Sequence, residues 1–115
     1  ELFEAMRGRR TYAATDRIQL EFRSGKTVMG GVAKLVDDAG RRVTPAFSLR
    51  VLGTGPIETI DLIRNRQTIA STSPKQRDVR WTFRDDKFKG RAAWYYVRVK
   101  QTDGNMAWSS PIWFE

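Results

Sequence analysis

The chain has 115 residues, 40% of them hydrophobic, which allows one domain with one modest core. It contains neither histidine nor cysteine, so a Ser-His-Asp or Cys-His nucleophile cannot be assembled, zinc lacks its usual ligands and the common neutral-pH general base is missing. The formal charge is +8, but the arginines are dispersed, so nucleic-acid binding is not expected, and no apolar run reaches the roughly eighteen residues of a membrane-spanning helix.

The chain opens on Glu1-Leu2-Phe3-Glu4-Ala5-Met6, which has helical spacing and ends near Gly8. This reads as the inside of a helix, so an upstream segment is expected. The period then changes to two. Ile18, Leu20 and Phe22 alternate with polar residues and predict a half-buried strand. After the turn Ser24-Gly25-Lys26, residues 27–35 predict a strand weakened at Gly30-Gly31, where a bulge is expected. Asp37-Asp38-Ala39-Gly40 predicts a turn, and Phe47, Leu49 and Val51 a further strand.

Gly53-Thr54-Gly55-Pro56 breaks that strand. No phosphate-loop lysine and helix follow, so it is read as a turn. Residues 57–63 form the next strand, partly apolar on both faces. Arg64-Asn65-Arg66 is short enough for a hairpin turn, with Asn65 able to take a positive φ. Val79, Trp81 and Phe83 alternate clearly. Residues 94–101 are rich in aromatic and branched side chains, and Asp103-Gly104 signals a hairpin into the last strand, 106–114. Pro111 in that strand requires an edge or a bulge. Roughly seven or eight short strands with turns between them predict an all-β, antiparallel immunoglobulin-like sandwich. The expected organisation is a helix remnant and linker over 1–16, then a sandwich over 17–115.

Two stretches carry a resemblance. The first is Glu4-Ala5-Met6-Arg7-Gly8-Arg9-Arg10-Thr11-Tyr12-Ala13-Ala14-Thr15. The second is Tyr95-Tyr96-Val97-Arg98-Val99, then Gln101, Asp103-Gly104 and Ala107-Trp108-Ser109-Ser110-Pro111-Ile112-Trp113. In this order they resemble the tail of a bacterial family catalogued as a domain of unknown function (DUF 3604), whose members look like PHP-type metal-dependent hydrolases. The resemblance implies an upstream catalytic barrel that holds divalent metal through its own His, Asp and Glu. None of those ligand motifs occurs here, so no metal ligand, cofactor or catalytic residue is carried over to this chain. The implied role is a non-catalytic accessory domain that braces the barrel or shapes its entrance. The alternative is a stand-alone carbohydrate- or polyanion-binding module.

Two sets of residues are singled out. Arg9, Arg10, Thr11 and Tyr12 would follow the barrel's last helix. They either reach an active-site rim, where guanidinium forks match phosphate oxygens, or pack the two domains together. Trp94, Tyr96, Arg98 and Lys100 fall on one face of a strand, with Tyr95, Val97 and Val99 on the other. The first face either stacks a sugar or single-stranded nucleic acid, or packs on the missing domain, or has its rings inside the sandwich; exposed in isolation, it could drive dimerisation. Trp108 and Trp113 are expected to be packing residues. The pairs Asp37-Asp38 and Asp85-Asp86 are expected in solvated turns rather than at calcium, which takes six to eight ligands.

Overall fold

The computed structural model describes residues 12–115. Eleven strands are present among them: β1 (Tyr12–Ala14), β2 (Gln19–Ser24), β3 (Thr27–Val28), β4 (Val32–Ala33), β5 (Ala46–Leu52), β6 (Ile57–Arg64), β7 (Gln67–Thr72), β8 (Asp78–Arg84), β9 (Ala93–Gln101), β10 (Met106–Ser109) and β11 (Ile112–Phe114). They form two sheets. One runs β3-β2-β5-β8. The other runs β7-β6-β9, with β10 and β11 end to end along the far edge of β9. β1 then flanks β10, and β4 flanks β11 in the only parallel pairing among the described strands.

Labelled as an immunoglobulin-type sandwich, β2, β5 and β8 are strands A, B and E. β7, β6, β9 and the β10/β11 pair are C′, C, F and G, so the two sheets hold A-B-E and C′-C-F-G. The expected sandwich is therefore the observed one. The expected helix remnant lies outside the described residues. Residues 12–14, grouped in the sequence with a linker, instead form β1 and pair with β10, so the sheet begins earlier than alternation from Ile18 suggests.

Two predicted single strands are each divided, for different backbone reasons. Over 27–35 the chain pairs first with β2, turns at Gly30 (φ 88°), and then joins the other sheet beside β11. Glycine reaches that conformation without a Cβ penalty. Over 106–114 the ladder stops at Ser110-Pro111, because proline has no N–H to donate; its carbonyl instead accepts from Gly30 N–H at 2.7 Å. The β6–β7 hairpin turns through Asn65 (φ 59°), whose side chain accepts from Trp94 N–H at 3.1 Å and so ties the turn to β9.

The core sits between the sheets. Phe22 stacks on Phe47, with centroids 5.4 Å apart, and Phe47 crosses to Tyr95 at 4.6 Å and Phe114 at 5.7 Å. Around these rings pack Ile18, Val51, Ile57, Ile60, Leu62, Val97, Val99 and Ile112, all essentially without solvent contact. Removing this apolar surface from water is what chiefly holds the two sheets together.

Candidate functional site

Directly opposed residues of an antiparallel pair share a face of the sheet. On β9, Tyr95, Val97 and Val99 point inward and are buried, so Trp94, Tyr96, Arg98 and Lys100 point outward, as their alternation predicts. Register then shows which side chains join them. Trp113 on β11 lies opposite Trp94, and Val32 on β4 lies beside Trp113. Trp108 and Met106 on β10 lie opposite Arg98 and Lys100. Ile63 on β6 lies opposite Tyr96.

The result is an aromatic surface on the outside of this sheet. The Trp94 and Tyr96 rings are nearly parallel, 9° apart with centroids at 5.7 Å, and Trp113 tilts against Trp94 at 6.0 Å. Trp113 and Val32 are 46% and 54% exposed, large values for apolar side chains that adjoin one another. Ile63 is buried on this same outer side and takes no part in the inter-sheet core. The packing role expected for Trp108 and Trp113 is thus corrected: both face outward, because Ala107, Ser109, Ile112 and Phe114 take the inward positions of β10 and β11.

The charges on this face are unequal in availability. Arg98 is held by Asp61, its Nη2 and Nε donating to Oδ2 at 2.9 and 3.3 Å, and Asp61 Oδ1 also accepts from the Ser71 hydroxyl at 2.7 Å. Arg98 therefore works as a brace between β6 and β9 rather than as a free cation. Lys100 is exposed.

Of the other set, Arg9, Arg10 and Thr11 lie outside the described residues. Tyr12, on β1 beside β10, is buried in the hydrophobic core. One aspartate of each pair has a local duty. Asp37 Oδ1 accepts from Ala39 N–H and Arg41 N–H, closing its turn. Asp85 does not sit in a solvated turn as expected. It is buried, and its Oδ2 accepts from Arg64 Nη1 and from the Tyr95 hydroxyl, both at 2.7 Å. Burial and the adjacent Asp85 carboxylate push the Tyr95 hydroxyl well above the ordinary tyrosine range. Among the described residues no three Asp or Glu side chains group as a metal site.

A second cluster closes the opposite end. Gln101 is fully buried, and its Oε1 accepts from Thr54 N–H at 2.8 Å while its Nε2 donates to Thr54 Oγ1 and Asp103. Thr54 in turn donates from its hydroxyl to Asp16 at 2.7 Å. These networks hold loops in place, and both are satisfied by protein groups.

Comparison with known proteins gives three chlamydial relatives. An uncharacterized protein of Chlamydia muridarum is 34% identical to this chain, and uncharacterized proteins of Chlamydia pneumoniae and Chlamydia trachomatis are each 32% identical. Each alignment covers 99% of this chain but only 20% of the relative, so the chain spans about a fifth of the length of the curated relatives it matches. No family model and no solved structure matches the chain.

Proposed function

We propose that this chain is a non-catalytic accessory domain of a longer protein and docks on its neighbour through the outer aromatic face of the β7-β6-β9 sheet. The observation that carries this reading is the pair of exposed register partners Trp113 and Val32, joined to the Trp94–Tyr96 stack through the Trp94–Trp113 ring contact. Contiguous apolar surface of this kind marks an interface on soluble domains, and tryptophan and tyrosine are the residues that most often dominate one. The length of the chlamydial relatives supports a neighbour in the same chain.

The resemblance of the Trp108-Ser109-Ser110-Pro111-Ile112-Trp113 ending to the DUF 3604 tail suggests what that neighbour is: a PHP-like hydrolase barrel holding divalent metal, with phosphoesters as its substrate class. Deprived of it, two copies of the sandwich would pair through the same face. The test is hydrolysis of a generic phosphoester by the full-length parent and by the 115-residue chain, each with manganese or zinc. Activity in the parent alone is expected; activity in the isolated chain would refute the accessory reading.

A second reading has one specific observation in its favour. Trp94 stacks on Tyr96 at 9° and tilts against Trp113, an outward-facing aromatic cluster against whose rings a sugar could pack. Saturable quenching of tryptophan fluorescence by an oligosaccharide, lost in Trp94→Ala, would favour that module over domain docking.

A further inference from the structure

The opposite outer face of the sandwich has a different chemistry. On the β3-β2-β5-β8 sheet, register sets Glu21, Arg50 and Arg80 in one row and Arg23, Ser48 and Thr82 in the next. These six side chains line one open groove across three strands. We propose that this groove binds a small phosphate-bearing anion, held by the guanidinium groups of Arg23, Arg50 and Arg80 with the hydroxyls of Ser48 and Thr82.

Three features of the groove point to an anionic ligand. Arg50 and Arg80 are directly opposed across the β5–β8 ladder, an arrangement that like charges disfavour. The available carboxylates do not relieve it. Arg23 meets Glu21 at 3.7 Å and Arg50 meets Asp78 at 3.6 Å, both well beyond charge-assisted hydrogen-bond length, and Arg80 has no ion pair among the described residues. An oxyanion between the rows would bridge the opposed pair, since the planar fork of arginine fits phosphate oxygens two at a time. Three guanidiniums face one groove carboxylate, Glu21, so the local balance stays positive.

This site lies on the other sheet from the docking face and stands independently of the accessory-domain reading. It is tested by calorimetric titration of the 115-residue chain with inorganic triphosphate at two salt concentrations. The groove variant Arg50→Gln/Arg80→Gln is compared with Arg66→Gln/Arg77→Gln, which removes the same charge from exposed positions outside the groove. Single-site saturable binding is expected, weakened about tenfold or more in the groove variant and little changed in the other. Arg80→Gln alone, a change on the solvent face, gives the same reading if the double variant folds poorly. Equal loss in both double variants would mean diffuse charge attraction and would overturn the site. Tight binding of an oligothymidylate with none of triphosphate would overturn the small-anion assignment.

Discussion

Asp85 is the residue on which the buried polar chemistry of the sandwich converges. It sits just beyond β8, and it receives hydrogen bonds from β6 through Arg64 and from β9 through Tyr95. Tyr95 occupies the start of strand F, the position of the tyrosine corner in immunoglobulin-type sandwiches, but its hydroxyl ends on a carboxylate instead of a backbone group. Asp85→Ala leaves a partly buried guanidinium and a buried hydroxyl unpaired, so a loss of about 3–5 kcal/mol is expected in chemical denaturation. Tyr95→Phe keeps the ring and loses one charged hydrogen bond, about 1.5–3 kcal/mol. It also changes the alkaline limb. The folded-state value of Tyr95 is raised, so its contribution is fully present below the ordinary tyrosine value of 10.0 and is lost as pH rises above it. Stability of the unsubstituted chain should therefore sag above pH 10.0, and Tyr95→Phe should flatten that sag.

The opposite end responds to acid. The Thr54 hydroxyl, first, and the Arg17 N–H hold Asp16 below the usual carboxylate range, and the Asn105 N–H and Gln101 side chain do the same for Asp103. Both values are depressed, so this stabilisation is present above pH 3.8 and fades as pH falls below it. Asp16→Asn should remove part of that acid limb in a stability-against-pH series. Gly53 is tied to the same cluster: a Cβ there would stand 2.6 Å from Gln101 Oε1 and 2.6 Å from the Gly55 carbonyl oxygen. Since Gln101 is buried and the second neighbour is backbone, Gly53→Ala should cost about 1–3 kcal/mol in thermal denaturation.

Among the elements, strands with an uninterrupted period of two were legible from sequence almost to their ends. Phe47, Leu49 and Val51 announce β5, and Tyr95, Val97 and Val99 announce β9, because one face is core and the other is solvent. What was not legible is where a continuous stretch changes partners. Residues 27–35 serve both sheets, a decision made by the tertiary position of β2 and β11 and marked locally only by Gly30-Gly31. β1 is three residues long and owes its existence to the free edge of β10, so no periodicity of its own could announce it. The outward direction of Trp113 was present in the alternation Ile112-Trp113-Phe114, but the general tendency to bury tryptophan argues the other way. The arginine groove lay beyond reach, since Arg23, Arg50 and Arg80 are brought together only by register across three strands. Phe47 is the element-scale test of the core: it contacts rings from both sheets, so Phe47→Ala should cost about 3–5 kcal/mol and broaden the unfolding transition.

For the whole molecule, the two outer faces divide the work. One carries three of the four tryptophans with its arginine neutralised by Asp61; the other carries loosely paired arginines. On the proposed reading the apolar side is the one a neighbour covers and the cationic side the one that meets an anion. Asp16, Asp37, Asp85 and Asp103, with Tyr95, are engaged in hydrogen bonds that hold turns and loops. The most direct measurement is hydroxyl-radical footprinting of Trp94 and Trp113 in the full-length parent and in the 115-residue chain, at a concentration where the chain sediments as a monomer. Docking through the aromatic face predicts that both tryptophans are labelled several-fold more slowly in the parent, while exposed residues of the arginine sheet are labelled alike. Equal labelling of Trp94 and Trp113 in the two proteins would contradict it.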